Sequence, residues 1–150
     1  MPALVPELSV SDFPAALAFD LRLGGTVVHD RPEDEFALLR LGEGPEAAEV
    51  MLDGLRTGRN FDADLTAADR PFGRGLNLEI TVRALAPLLA ALGDHPVALP
   101  VEERWYRAGA VETGVRQIIV ADPDGYLLRF SEPLGTRPCA GPAAGGGHAL

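Results

Sequence analysis

Three strand-like segments, residues 5–10, 77–82 and 126–130, place charged residues where they could bind a ligand. Residues 5–10 and 77–82 alternate polar with apolar side chains and put Glu7 and Glu79 in corresponding positions. Because successive side chains of a β-strand point to opposite faces, both carboxylates are predicted to lie on the polar face of a sheet, near Arg129. That face is either a solvated, salt-bridged surface or a polar floor that pairs with amine or amide groups of a ligand.

Aromatic residues could complete such a site. Phe36 begins a predicted strand, and Trp105 and Tyr106 fall in a predicted loop, residues 102–114. Rings of this kind stack on flat cationic or heteroaromatic ligands for about 0.5–2 kcal/mol each. Trp105, which has charged neighbours, is interpreted as a ligand or dimer-interface residue. The predicted ligand-binding residues are Glu7, Phe36, Asn77, Glu79, Trp105, Tyr106 and Arg129.

Nucleophilic and phosphate-binding chemistry find no support in the sequence. It contains no Gly-x-Ser-x-Gly motif, and residues 73–75 (Gly-Arg-Gly) lack the strand, the helix and the further glycines of a phosphate loop. The only cysteine is Cys139, which excludes an intramolecular disulfide. No catalytic residue is predicted.

The charged segments belong to two copies of one structural unit. Each segment runs into an Ala- and Leu-rich stretch with helical spacing. The first helix is predicted to begin at Ser11 or Asp12 and the second to end at Gly93. Two tandem β-α-β-β-β units are therefore predicted. The strands expected after the helices are residues 26–29, 35–41 and 49–52 in the first copy, and 98–101, 115–120 and 126–130 in the second.

A tight turn precedes the last of these strands. In the sequence Asp122-Pro123-Asp124-Gly125, the first aspartate can accept hydrogen bonds from the backbone that follows it. Proline presets φ near −65° and glycine takes the positive φ that leaves the turn. The turn is predicted to join two antiparallel strands.

An ordered series of segments carries a family resemblance. The segments are residues 5–12, 16–19, 31–33, 72–77, 104–107, 114–117, 122–130 and 134–138. Together they resemble the glyoxalase/bleomycin resistance protein/extradiol dioxygenase superfamily, also called vicinal oxygen chelate proteins, and within it the bleomycin-resistance-like branch. The resemblance covers about residues 4–138 and implies an α+β fold, in which tandem βαβββ modules form a curved mixed-sheet cup. One departure is Asp20, where the family commonly has an aromatic residue.

The same resemblance raises the question of a metal. Metal-using members commonly place His or Gln on the first strand of each unit and Glu on the last. The corresponding residues here are Val5 and Asn77 on the first strands, and Leu52 (or Asp53) and Arg129 on the last. Valine and leucine have no donor atom, asparagine is a poor ligand, and a guanidinium group cannot bind a cation. We therefore expect no metal and no other cofactor.

Length and composition fit a single domain. The chain has 150 residues, of which 47% are hydrophobic. The domain is predicted to cover residues 1–138, with modules at about 3–53 and 75–133 and a crossover at 54–74. The Gly- and Ala-rich tail, residues 139–150, is predicted to be disordered. No apolar run approaches the ~20 residues that span a bilayer, and the N-terminus lacks signal-peptide features, so a cytoplasmic location is expected.

Net charge limits the choice of partner. The formal charge is −9, which disfavours binding to nucleic acid. The same charge either attracts a cationic small molecule or serves only to keep the protein in solution.

Three functions follow from these observations. The favoured interpretation is a metal-free protein of the bleomycin-resistance type that sequesters a cationic or aromatic compound, such as a bleomycin-like one, without changing it chemically. The alternatives are a metal-dependent enzyme of the glyoxalase or dioxygenase type and a ligand-binding module unrelated to drugs. Family members commonly cover their sheet edges by dimerising, so a homodimer is also expected.

Overall fold

Two similar modules make up the chain. The computed structural model describes residues 2, 4–44, 47–58 and 61–139. Short 3-10 turns lie at Pro32–Asp34 and Ala67–Asp69. The helices and strands are β1 (Glu7–Val10), α1 (Phe13–Arg22), β2 (Thr26–Arg31), β3 (Phe36–Leu41) and β4 (Ala48–Gly54) in module 1, and β5 (Asn77–Thr81), α2 (Ala86–Leu92), β6 (Val97–Ala108), β7 (Val111–Ala121) and β8 (Leu127–Pro138) in module 2.

Each module folds as one mixed four-stranded sheet. Sheet A has the order β1-β4-β3-β2, and sheet B repeats it as β5-β8-β7-β6. In both sheets the first strand pairs in parallel with the last, and the remaining pairs are antiparallel. The predicted α+β fold with tandem βαβββ modules is confirmed.

Helix α1 begins where its sequence allows a cap. The carboxylate of Asp12 accepts a hydrogen bond from the Ala15 amide at 3.0 Å, so Asp12 rather than Ser11 is the N-cap. Pro14 occupies the first turn, where its missing N–H costs little. After the helix, Gly24 has φ +93° and reverses the chain.

One hydrophobic core serves both modules. It contains Leu8 and Leu52 of sheet A together with Ile80 and Phe130 of sheet B, all at most 4% exposed. These residues alternate with the polar residues of the same strands. The helices and core therefore cover one face of each sheet and leave the predicted polar face open.

The turn before β8 also ties the modules together. The side chain of Asp122 accepts hydrogen bonds from the amides of Asp124 (3.0 Å) and Tyr126 (2.8 Å), and Gly125 has φ +90°. The carboxylate of Asp124 accepts bonds from the amide of Ser11, at 3.1 and 3.2 Å, and from its hydroxyl at 2.5 Å. The predicted turn between antiparallel strands is confirmed.

The predicted loop at residues 102–114 is wrong. Strand β6 runs on to Ala108 and β7 begins at Val111, so most of the interval is a hairpin closed at Gly109, whose φ is +67°. The strands are polar because charged side chains pair across them, as Arg116 does with Glu103 at 2.7 Å. A search for apolar strands misses a hairpin of this composition.

Of the predicted disordered tail, residues 139–150, the structure describes only Cys139. Residues 140–150 lie outside the described residues. No helix in the described part of the chain is long and apolar enough to cross a membrane.

Candidate functional site

The open face of sheet B gathers polar side chains from four strands. Arg129 on β8 lies beside Glu79 on β5, and Ser131 on β8 lies beside Gln117 on β7. Because these residues alternate with buried apolar neighbours such as Phe130, they point away from the helices and core. We call Glu79, Glu102, Tyr106, Gln117, Arg129 and Ser131 the polar face of sheet B.

Three buried polar atoms on this face lack a hydrogen-bond partner. They are Oε1 of Gln117, Nε of Arg129 and Oγ of Ser131, the only such side-chain atoms among the residues that the structure describes. Gln117 and Ser131 are each 2% exposed. Since nearly all buried polar groups in folded proteins are paired, a cluster of three marks a place where a further polar group belongs.

Hydrogen bonds fix the orientation of the Gln117 side chain. Its Nε2 donates to Oε1 of Glu102 at 2.8 Å and to the hydroxyl of Tyr106 at 3.4 Å. The bond from Arg104 and the bond from Gln117 hold the pKa of Glu102 below its usual value, with Arg129 adding to the effect. Glu102 therefore stays ionised, and the carbonyl oxygen of Gln117 is left to accept a bond from outside.

The predicted residues Glu7 and Phe36 meet at a separate cavity on sheet A. The cavity has a volume of about 500 Å³ and is lined by both residues and by Asp53. The guanidinium carbon of Arg31 lies 4.0 Å from the centre of the Phe36 ring. Phe36 is thus already stacked on a cation, and it is only 8% exposed.

Trp105 does not lie on the polar face of sheet B with Tyr106, although the two are adjacent in sequence. On the extended strand β6 they point to opposite faces of sheet B. The Trp105 ring covers Gly114, where an added Cβ would lie 2.7 Å from the indole, and the Arg137 guanidinium lies 4.1 Å from the ring centroid. Trp105 packs against its own hairpin.

Of the predicted residues, Asn77, Glu79, Tyr106 and Arg129 lie on strands of sheet B. The sequence prediction does not include Gln117, Ser131 and Glu102 of the polar face. Gln117 precedes the core residue Ile118, and Ser131 follows the core residue Phe130. Their alternation with these residues was a usable signal.

The residues at the metal-ligand positions do not fit a metal ion. Leu52 is 1% exposed and belongs to the core, so the open face of β4 carries Asp53 instead. On the last strand of sheet B the predicted ligand position holds the cation Arg129. In the described part of the chain, no group of three His, Cys, Asp or Glu side chains is placed to hold a metal. The side chains at these positions do not supply the set of nitrogen and oxygen donors that a chelated metal ion needs.

The sequence matches no protein-family model and no curated protein. Several solved structures resemble it. A virulence protein from Salmonella typhimurium has 19% identity and a TM-score of 0.59 over 88% of this chain and 97% of its own. A bleomycin-binding protein solved in complex with bleomycin has 18% identity and a TM-score of 0.53 over 88% and 98%.

A third structure is named for the whole superfamily. It is a glyoxalase/bleomycin resistance protein/dioxygenase from Alicyclobacillus acidocaldarius, with 15% identity and a TM-score of 0.52 over 89% of this chain and 92% of its own. The chain has the fold of the glyoxalase/bleomycin resistance protein/dioxygenase superfamily, and the resemblance seen in the sequence is confirmed at the level of the fold.

Proposed function

We propose that this protein binds a small molecule without a metal and sequesters it without chemical change, as a protein of the bleomycin-resistance type would. The observation that carries the proposal is the set of three unpartnered polar atoms of Gln117, Arg129 and Ser131 on one sheet face. A binding site needs such atoms, whereas a purely structural face gains nothing from leaving them unpaired.

The chemistry of the polar face indicates the kind of ligand. Arg129 Nε–H is a donor that fits a ligand carbonyl, and Gln117 Oε1 is an acceptor that fits a ligand N–H. The Tyr106 side chain, 50% exposed, offers a ring for stacking. Glu79 and the ionised Glu102 favour an amine, as does the net charge of −9. An amide-bearing, cationic or aromatic compound such as bleomycin satisfies these requirements.

The metal-dependent alternative has less support. The position that would need a carboxylate ligand holds Arg129, whose neighbour on β5 is Glu79. The similarity in fold to a structure that contains bleomycin supports binding over chelate chemistry.

Loss of the Arg129 guanidinium should weaken binding. In calorimetric titrations with metal-free and copper-loaded bleomycin, we expect the wild-type protein to bind and Arg129→Gln to bind about tenfold or more weakly. A hydrogen bond to a charged group contributes about 1.5–3 kcal/mol, which corresponds to a factor of this size. Because Arg129 Nε has no hydrogen-bond partner among the described residues, the thermal midpoint should change little.

Arg83→Gln is the matched control. The Arg83 side chain is 81% exposed and pairs with the exposed Glu43, so its loss should leave binding unchanged. If the wild-type protein gives no heat at high micromolar drug, sequestration of bleomycin is excluded. If Arg129→Gln binds as well as wild type, the polar face of sheet B is not the site.

We also propose that the protein is a homodimer. Strands β2 and β6 form the outer edges of the two sheets, and β2 is exposed along its whole length. Exposed apolar side chains on these strands would be covered by a second chain. They are Val27, Val28, Val97 and Val101. Light scattering at micromolar concentration should give about twice the chain mass of 15.8 kDa, and a value near 15.8 kDa would contradict the dimer.

The proposed setting is the cytoplasm, with no nucleic-acid or membrane partner. The net charge of −9 supports the first of these exclusions, because an acidic surface repels phosphate backbones.

A further inference from the structure

A second cavity lies between the two modules, away from the polar atoms of Gln117 and Arg129. It has a volume of about 230 Å³. The exposed residue Leu4 is part of the cavity wall, so the cavity is open to solvent beside β1. Most of its wall is apolar and comes from both sheets: Leu8, Leu41, Val50, Leu78, Ile80 and Leu128.

The polar part of the wall is entirely acidic. Asp20, Glu49 and Asp122 line the cavity, and no arginine, lysine or histidine does so among the described residues. Glu79 borders it as well, but its side chain lies on the polar face of sheet B. Glu49 is neutralised from outside by Arg40 at 2.7 Å. Asp20 and Asp122 have no such ion pair within the described part of the chain.

Asp20 is the least satisfied of these groups. It is 5% exposed, and no described residue donates a hydrogen bond to its carboxylate. Asp122, 8% exposed, accepts two backbone N–H groups through Oδ1. A buried carboxylate with no partner is costly, and the cost falls if a cation takes the adjacent space.

We propose that this cavity binds a small organic cation with an apolar body, that is, a protonated primary amine on an aryl or alkyl group. The ammonium group would lie between Asp20 and Asp122, and the apolar body would lie against the leucine and isoleucine side chains. The amine fits because it supplies up to three N–H donors and a positive charge.

The size of the cavity limits the guest. An apolar cavity of about 150 Å³ accommodates benzene, so about 230 Å³ accommodates a phenyl ring with a short aminoalkyl chain. A much larger compound would have to extend out of the cavity past the exposed Leu4.

Binding should depend on pH. Burial, and then the charge of Asp122, raises the pKa of Asp20 to about 7, and burial raises that of Asp122 to about 6. Asp124, which Ser11 holds, adds its charge to the effect on Asp122, and Glu49 and Glu79 are the other acidic residues around the cavity. Alkylamines stay protonated well above neutral pH. Binding should therefore be tighter at about pH 8 than at about pH 5, where the aspartates are protonated.

The test is calorimetry with phenethylamine and with phenethyl alcohol, its neutral analogue of the same shape. We expect the amine to bind wild type at least about tenfold more tightly than the alcohol at pH 8, and Asp20→Asn to abolish that preference. Asp94→Asn removes the same charge from an exposed turn and should leave the preference intact.

Three results would overturn the proposal. They are equal binding of amine and alcohol, equal binding of the amine by Asp20→Asn and wild type, and no binding of the amine at millimolar concentration. Arg129→Gln separates this site from the polar face of sheet B, because it should bind phenethylamine as wild type does.

Discussion

The stability of Asp20→Asn relative to wild type is expected to rise by about 3 kcal/mol between about pH 4.5 and pH 8. The reason is that burial raises the pKa of Asp20 from 3.8 to about 7, and the charge of Asp122 adds to the effect. One pKa unit corresponds to about 1.4 kcal/mol, and the interval from about pH 4.5 to the raised pKa is about 2.5 units.

The sign follows from proton binding. Between pH 3.8 and about 7 the folded protein holds a proton on Asp20 that the unfolded chain has lost. The free energy of unfolding of the wild type therefore falls as pH rises through this window and levels off above it. Asp122, with a pKa raised to about 6, acts in the same direction, but the two groups titrate as a pair and their effects do not simply add. Asparagine cannot ionise. The Asp20→Asn variant therefore does not lose the part of the free energy of unfolding that ionisation of Asp20 removes from the wild type.

Urea denaturation of both proteins at the two pH values measures the difference. Asp94→Asn serves as the control because Asp94 is exposed, and its curve should run parallel to that of the wild type. An equal difference between Asp20→Asn and wild type at both pH values would contradict the burial of an unpartnered carboxyl group.

Asp124→Ala is expected to destabilise the protein by about 3 kcal/mol. Asp124 is 1% exposed, and its carboxylate accepts hydrogen bonds from the amide and the hydroxyl of Ser11. Each bond to a charged group contributes about 1.5–3 kcal/mol, and the alanine leaves the Ser11 amide without its acceptor. For a protein of this size, the thermal midpoint should fall by about 6–12 °C.

Scanning calorimetry of a double-mutant cycle tests the contact. Ser11→Ala removes only the hydroxyl and should cost less than Asp124→Ala, and the double variant should show coupling between the two residues. A loss below about 0.5 kcal/mol for Asp124→Ala would mean that this contact does not hold the modules together.

Much of the fold could be predicted because its signals are local. Asp12 caps its own helix, and Asp122 caps its own turn. The likeness of residues 5–10 to 77–82 also predicted that both modules would begin with the same strand, and β1 and β5 do hold equivalent places in their sheets. Alternation within these strands then predicted which face would be polar.

The site could be predicted only in part because it depends on register between strands. Placing Ser131 beside Gln117 requires the pairing of β7 with β8, which no local pattern fixes. Trp105 was grouped with Tyr106 because a loop was predicted where β6 continues, and on a strand adjacent residues face opposite ways. The approach of Asp20 to Asp122 joins residues from different modules and has no sequence signal.

Nuclear magnetic resonance of isotope-labelled protein titrated with metal-free bleomycin tests the central claim most directly. The account predicts that the side-chain N–H signals of Arg129 and Gln117 shift as the drug binds, since Arg129 Nε and Gln117 Oε1 gain partners. The Trp105 indole signal, from the opposite face of the same sheet, should move little. Saturating shifts confined to other parts of the molecule, with Arg129 and Gln117 unchanged, would contradict it.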